Sequence, residues 1–195
     1  MRRVISLFLS LLFLLTPCLA LAESDTSELA ERLPSEALID FLRAALDSDP
    51  DLNYDFDEES LSFSLIFESS DGQMGNLYSY IDVYGDGVLL QVCYETDAPG
   101  DRIPELVRFV NMLNADLLGS KYYVYTETGS IYCESFLEFG LVDLSTLTDN
   151  TRSAFFDCYY ELLLEADFDA TYFAEIIAGE TAENGYAIYL ADLDK

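Results

Sequence analysis

The residues best placed to do chemistry in this sequence are carboxylates. From Asp47 to Glu59 the chain reads DSDPDLNYDFDEE, seven acids without a base. Alternating oxygen ligands of this kind suit calcium. The EF-hand pattern does not fit, however. Counted from Asp47, the sixth position is Leu52, where the sharp turn of the loop needs glycine, and Pro50 falls inside. The run therefore reads as a solvated acidic loop, with a weak divalent-cation site outside the EF-hand pattern as the alternative. Paired carboxylates of the glycoside-hydrolase kind are a second alternative. Acids are so abundant, at 37 Asp+Glu against nine Lys+Arg, that two of them near each other mean little, and the absence of Trp weakens any sugar-stacking platform.

The sequence has no His. That removes the common general base, the Ser-His and Cys-His pairs, and most zinc sites. No catalytic residue, metal ligand set or cofactor is assigned. The shortage of Lys and Arg argues against nucleic acid, whose phosphates need clustered cations, and against docking on an anionic membrane.

The first segment, MRRVISLFLSLLFLLTPCLALA, has Arg2 and Arg3, then an apolar run, then Ala20-Leu21-Ala22. This is the pattern of a secretory signal peptide over residues 1–22, cut before Glu23. The apolar run is short for a membrane span and Pro17 interrupts it. Pro17 also spoils a lipobox at Cys18. The expected location is extracytoplasmic, secreted or in the cell envelope. Without the leader the formal charge is −30 over 173 residues. Three cysteines remain, Cys93, Cys133 and Cys158, too far apart for a CxxC motif. Each reads as a small buried apolar residue.

The elements that must position these groups follow from periodicity. Residues 23–34 form a polar lead. Leu38, Ile39, Phe41, Leu42, Ala45 and Leu46 predict a helix over about 35–47. Strands follow over about 61–68, 77–83 and 88–95, the last two joined by the glycine turn Tyr84-Gly85-Asp86-Gly87. A second helix over about 104–118 carries the stripe Leu106, Val107, Val110, Leu113 and Leu117. Strands over about 122–126 and 130–138 come next, and Gly140 to Ser145 is a connector. A third helix over about 148–166 starts at Thr148 or Asp149. A fourth over about 169–178 ends at Gly179, and Tyr186 to Leu193 is a weak last strand or a loose arm.

Parity about the 84–87 turn assigns the sheet faces. Val83 falls opposite Val88, Ile81 opposite Leu90 and Ser79 opposite Val92, an aliphatic face for helices to cover. The other face receives Tyr78, Tyr80 and Asp82 with Leu89, Gln91, Cys93 and Glu95. In the later hairpin Tyr132, Glu134 and Phe136 share one face with Tyr123 and Tyr125, while Ile131, Cys133 and Leu137 share the other. Tyrosine offers flat apolar area with one polar tip, so Tyr78, Tyr80, Tyr123, Tyr125, Tyr132 and Phe136 are the candidate partner face. Ordinary β-propensity also explains tyrosines in strands.

The stretch IPELVRFVNMLNADLLGSKYYVYTETGSIYCESFLEF resembles the YbjN family. There a helix with a phenylalanine and asparagine-leucine pattern leads through a short basic turn into a strand, a turn and another strand. Here those positions are Phe109, Asn111, Leu113, Asn114, Lys121, Tyr122, Gly129 and Ile131. The resemblance spans about residues 35–168, leaving 169–195 as a C-terminal helix and tail. It implies an α+β fold of the order helix, three strands, helix, two strands, helix, with an antiparallel sheet and its helices on one face. That fold is shared with type III secretion chaperones of the Tir-chaperone type, which are small, acidic, usually dimeric, and hold apolar segments of secreted proteins extended. The resemblance thus implies a noncatalytic protein-binding or chaperone-like module with a polypeptide partner or a second copy. Family members of this type work in the cytosol, and the leader here is a departure. Because parity sends Cys93 and Cys133 to opposite faces, mass spectrometry of the unreduced protein should find no 93–133 disulfide. Finding that bridge would break the register.

Overall fold

The structure, a computed structural model, describes residues 34–70, 74–94, 96, 98–139 and 149–193. The leader over 1–22, residues 23–33 of the polar lead, the connector at 140–145 and Thr148 lie outside the described residues.

Helix α1 (Pro34–Leu46) opens on a proline, whose fixed φ suits a first turn. It buries the expected stripe of Leu38, Phe41, Leu42, Ala45 and Leu46. The acidic run that follows is not all loop. Strand β1 (Tyr54–Asp57) sits inside it, because a period of two is hidden among the acids. Tyr54 and Phe56 turn onto the Phe63 ring at centroid distances of 5.5 and 4.5 Å. Asp55 and Asp57 stay exposed, and Arg43 of α1 lies 4.5 Å over the Phe56 ring.

The remaining strands are β2 (Ser62–Glu68), β3 (Asn76–Tyr84), β4 (Gly87–Tyr94), β5 (Lys121–Val124) and β6 (Ile131–Glu138). They form one sheet in the order β1-β2-β3-β4-β6-β5, with every pair antiparallel. The sheet therefore has six strands among the described residues rather than five. The β3–β4 turn is two residues long, with Gly85 at φ +58, a conformation side chains resist. Val83 pairs with Val88, Ile81 with Leu90 and Ser79 with Val92, as parity predicts.

Helix α2 (Ile103–Asp116) connects β4 to β5 and buries Leu106, Phe109, Val110 and Leu113. Its Asn114 reaches the free edge of β5. The side-chain Oδ1 accepts from the Tyr122 N–H at 2.8 Å, and Nδ2 donates to the Tyr122 carbonyl at 2.7 Å. One carboxamide thus does what another strand would do.

Helix α3 (Asp149–Ala178) runs 30 residues without a break. The periodicity predicts two helices here, parted near 167–168. The acids at that point are answered by tertiary partners: Asp167 accepts from Ser69 Oγ at 3.0 Å and the Ser70 N–H at 2.9 Å. Gly179 ends the helix at φ +127, and the Glu180 N–H returns to the Glu175 carbonyl at 3.0 Å. The Arg102 Nε donates to the Ile176 carbonyl at 2.8 Å, bracing the start of α2 against this helix end.

Residues 186–193 are neither strand nor arm. They belong to helix α4 (Ala182–Leu193). The Glu105 carboxylate accepts from the Ala182 N–H at 2.9 Å, placing an acid at the helix start. A Cβ on Gly185 would stand 2.8 Å from Ile176 Cδ1, so the two helices meet where no side chain fits.

The core lies between the helices and one sheet face. It is formed by Ile81, Val88, Leu90 and Val92 with Phe109, Phe155, Leu162, Phe173 and Ile176. Two phenols pin α3 to the strands. Tyr159 donates to Ser79 Oγ at 2.9 Å, and Tyr94 donates to the Ala166 carbonyl. Cys133 is buried on this face and Cys93 lies on the other.

Two outcomes follow. Asn114→Ala orphans both Tyr122 backbone groups, so chemical denaturation should show a loss of about 1–3 kcal/mol. Burial raises the ionisation of Tyr94, Tyr122 and Tyr159 well above the ordinary phenol value of 10.0. The unfolded chain ionises near that value and the folded chain does not, so stability is full below pH 10 and falls as pH rises further. Near-ultraviolet absorbance should then report these tyrosinates only together with unfolding.

Candidate functional site

Strand alternation gives the sheet a second face, on which no element among the described residues packs. All six candidate partner residues stand on it. Tyr78 and Tyr80 come from β3, Tyr123 from β5, Tyr132 and Phe136 from β6, and Tyr125 follows directly after β5.

Three of them form one group. The Tyr123 and Tyr132 rings stack at 5.1 Å with planes 6° apart. Tyr125 sits against both, 5.8 Å from Tyr123 and 5.4 Å edge-on from Tyr132. Gln91 Nε2 donates to the Tyr123 hydroxyl at 2.9 Å and to Glu134 Oε2 at 3.3 Å. Partial burial, with Glu134 nearby, pushes the Tyr123 phenol up to about 12. Burial and the hydrogen bond with Cys93 push Tyr132 up as well. Both phenols therefore stay neutral at physiological pH and can serve as hydrogen-bonding groups.

Tyr78 pairs with Cys93, which pairs with Tyr132, while Tyr80 pairs with Gln91. Phe136 stands apart from the tyrosine group. Its ring lies across Gly87, where a Cβ would collide with Phe136 Cζ. Phe136 and Tyr125 are each 53% exposed. Two further apolar residues belong here. Ile66 is 63% exposed opposite Tyr78, and Tyr84 is 57% exposed at the turn. The alternation of β2 already places Ile66 among the outward residues, but its aliphatic type hides that role.

The alternative chemistries find little support in the geometry. In the acidic segment Asp47 accepts from the Tyr54 hydroxyl and Asp49 from the Tyr160 hydroxyl, both at 2.9 Å, and Asp57 accepts from the Glu59 N–H. Among the described residues no group of three or more His, Cys, Asp or Glu is arranged to hold a metal ion. Glu175 and Glu180 line an open hollow at the α3–α4 corner. Hydrogen bonds from the Thr181 N–H and Asn184 hold the Glu180 carboxyl below its ordinary range, the reverse of what a general acid needs. A second acidic group, the half-buried Glu165 and the buried Asp169, faces the buried Tyr94, Tyr122 and Cys133. Asp169 is 1% exposed and those three neighbours are buried, so a substrate in solution does not reach it.

Residues 50–170 match a protein family, YbjN, described as "Putative bacterial sensory transduction regulator". The match starts after α1 and ends within α3, and it includes the whole sheet. Among curated proteins the comparison finds no match. Among solved structures the chain is similar to the crystal structure of YbjN from E. coli, described as "a putative transcription regulator". The two are 17% identical with a TM-score of 0.48, over 68% of this chain and 90% of that one. With its sheet and most of its length inside the matched range, this chain belongs to the YbjN family.

Proposed function

We propose that the chain is an exported, noncatalytic protein-binding module that holds a polypeptide on the open face of its sheet. The observation that carries the proposal is the apolar and aromatic surface formed by Tyr78, Tyr123, Tyr125, Tyr132 and Phe136 on a face that no described helix covers. Tyrosine is enriched where proteins meet, because its ring buries area while its hydroxyl keeps a polar partner. A regulator that works by contact, without a reaction, is also consistent with the family's description.

The occupant is better sought in another polypeptide than in a second copy. Two copies meeting through this face would each present the same excess of acids, Asp82, Glu134 and Glu138 among them, and like charges oppose such pairing. Export rests on the leader over residues 1–22. N-terminal sequencing of the cell-envelope or secreted fraction should begin at Glu23, and a cytosolic protein still beginning at Met1 would contradict export.

Binding is tested with a photoreactive phenylalanine analogue replacing Phe136 or Tyr125 in cells, with Leu164 on α3 as the comparison site. Irradiation should yield a protein adduct from the first two positions and none from Leu164. No adduct from either outer-face position, at normal protein levels, would overturn the binding role.

A further inference from the structure

We infer that the occupant of the open sheet face is a basic amphipathic helix lying across the strands, an inference that rests on the binding role proposed above and narrows it. Three observations converge on it. The first is the direction of the apolar row. Ile66, Tyr78, Cys93, Tyr132 and Tyr123 stand opposite one another on β2, β3, β4, β6 and β5. Neighbouring strands are about 4.8 Å apart, so the row crosses about 19 Å. A helix of about 13 residues has that length and presents one apolar stripe along it.

The second observation is charge. Asp55, Asp57, Glu68, Asp82, Glu134 and Glu138 share this face by strand parity. Among the described residues its one cation is Lys121, whose Nζ is committed to the carbonyls of Asn114 and Leu117 at 3.0 and 2.6 Å. The acids flank the apolar row without internal cations to offset them. Lys or Arg beside the apolar stripe of a docking helix meets them directly, which speeds encounter and fixes orientation.

The third concerns the alternative of a peptide adding to the sheet as a new strand. At the β5 edge the Asn114 carboxamide already holds both Tyr122 backbone groups. At the other edge β1 has only four residues, with Asp55 and Asp57 exposed. The face offers more contact than either edge, and a helix arrives with its own backbone groups already paired.

The test uses residues 23–195 and three synthetic peptides of about 14 residues, a length set by the same helical rise. One has Leu at i, i+3, i+4 and i+7 with Lys between, the second has the same residues in strict alternation, and the third is the first with Glu in place of Lys. Fluorescence anisotropy should show the first binding at least about tenfold tighter than either other peptide, and losing about tenfold between low and physiological salt. Amide NMR shifts should fall on β3, β4, β6 and β5. Tyr132→Ser should abolish the binding, and Asp82→Lys, with its fold checked by circular dichroism, should weaken it several-fold.

Tighter binding of the alternating peptide on this face would overturn the helix and leave the binding role standing. No shift on this face from any of the three would overturn the inference also. In that case photoadducts from Phe136 would still support the binding role, and their absence would end both.

Discussion

A serine hydroxyl in the middle of an aliphatic sheet face must be answered, because an unpaired buried hydroxyl costs about 1–3 kcal/mol. Here the answer comes from Tyr159 of α3, donating to Ser79 from across the core. With Tyr94 reaching the Ala166 carbonyl a turn or two along, the long helix has two fixed points on the strands. Everything else on that side arranges itself around α3. Phe109 and Phe173 meet edge to face at 5.4 Å, and α4 closes on the same helix through Gly185. Concentrating the helices on one side leaves the opposite side to be defined by its own side chains.

That opposite side was legible in large part from the sequence. A two-residue turn fixes register, and register with a period of two fixes which residues share a face, so the pairing of Val83 with Val88 propagates to Tyr78, Cys93 and Tyr132. The resemblance carried by Phe109 to Ile131 pointed to the right family. What parity could not supply was ring geometry. The stacking of Tyr123 on Tyr132 and the separate position of Phe136 over Gly87 depend on three strands at once.

The misread elements share a cause: tertiary partners that no local pattern encodes. β1 hides because acids surround Tyr54 and Phe56, whose partner Phe63 comes only from the next strand. The pattern of α3 breaks at Asp167, whose carboxylate is satisfied by Ser69 and Ser70, nearly a hundred residues earlier. α4 looks like a strand or an arm because Gly185 is a poor helix residue and YAIYL alternates weakly. The Glu105 carboxylate at its start and the Ile176 side chain against its glycine reverse that preference.

The Asn114 carboxamide has a consequence beyond holding one loop in place. A sheet with an unsatisfied border is a template on which identical molecules can stack, and fibrils grow from such borders. Here a single side chain on α2 occupies that template at one end, and a four-residue acidic strand makes the other end a poor one. A protein so finished resists stacking border to border with its own copies, while its broad aromatic side stays available.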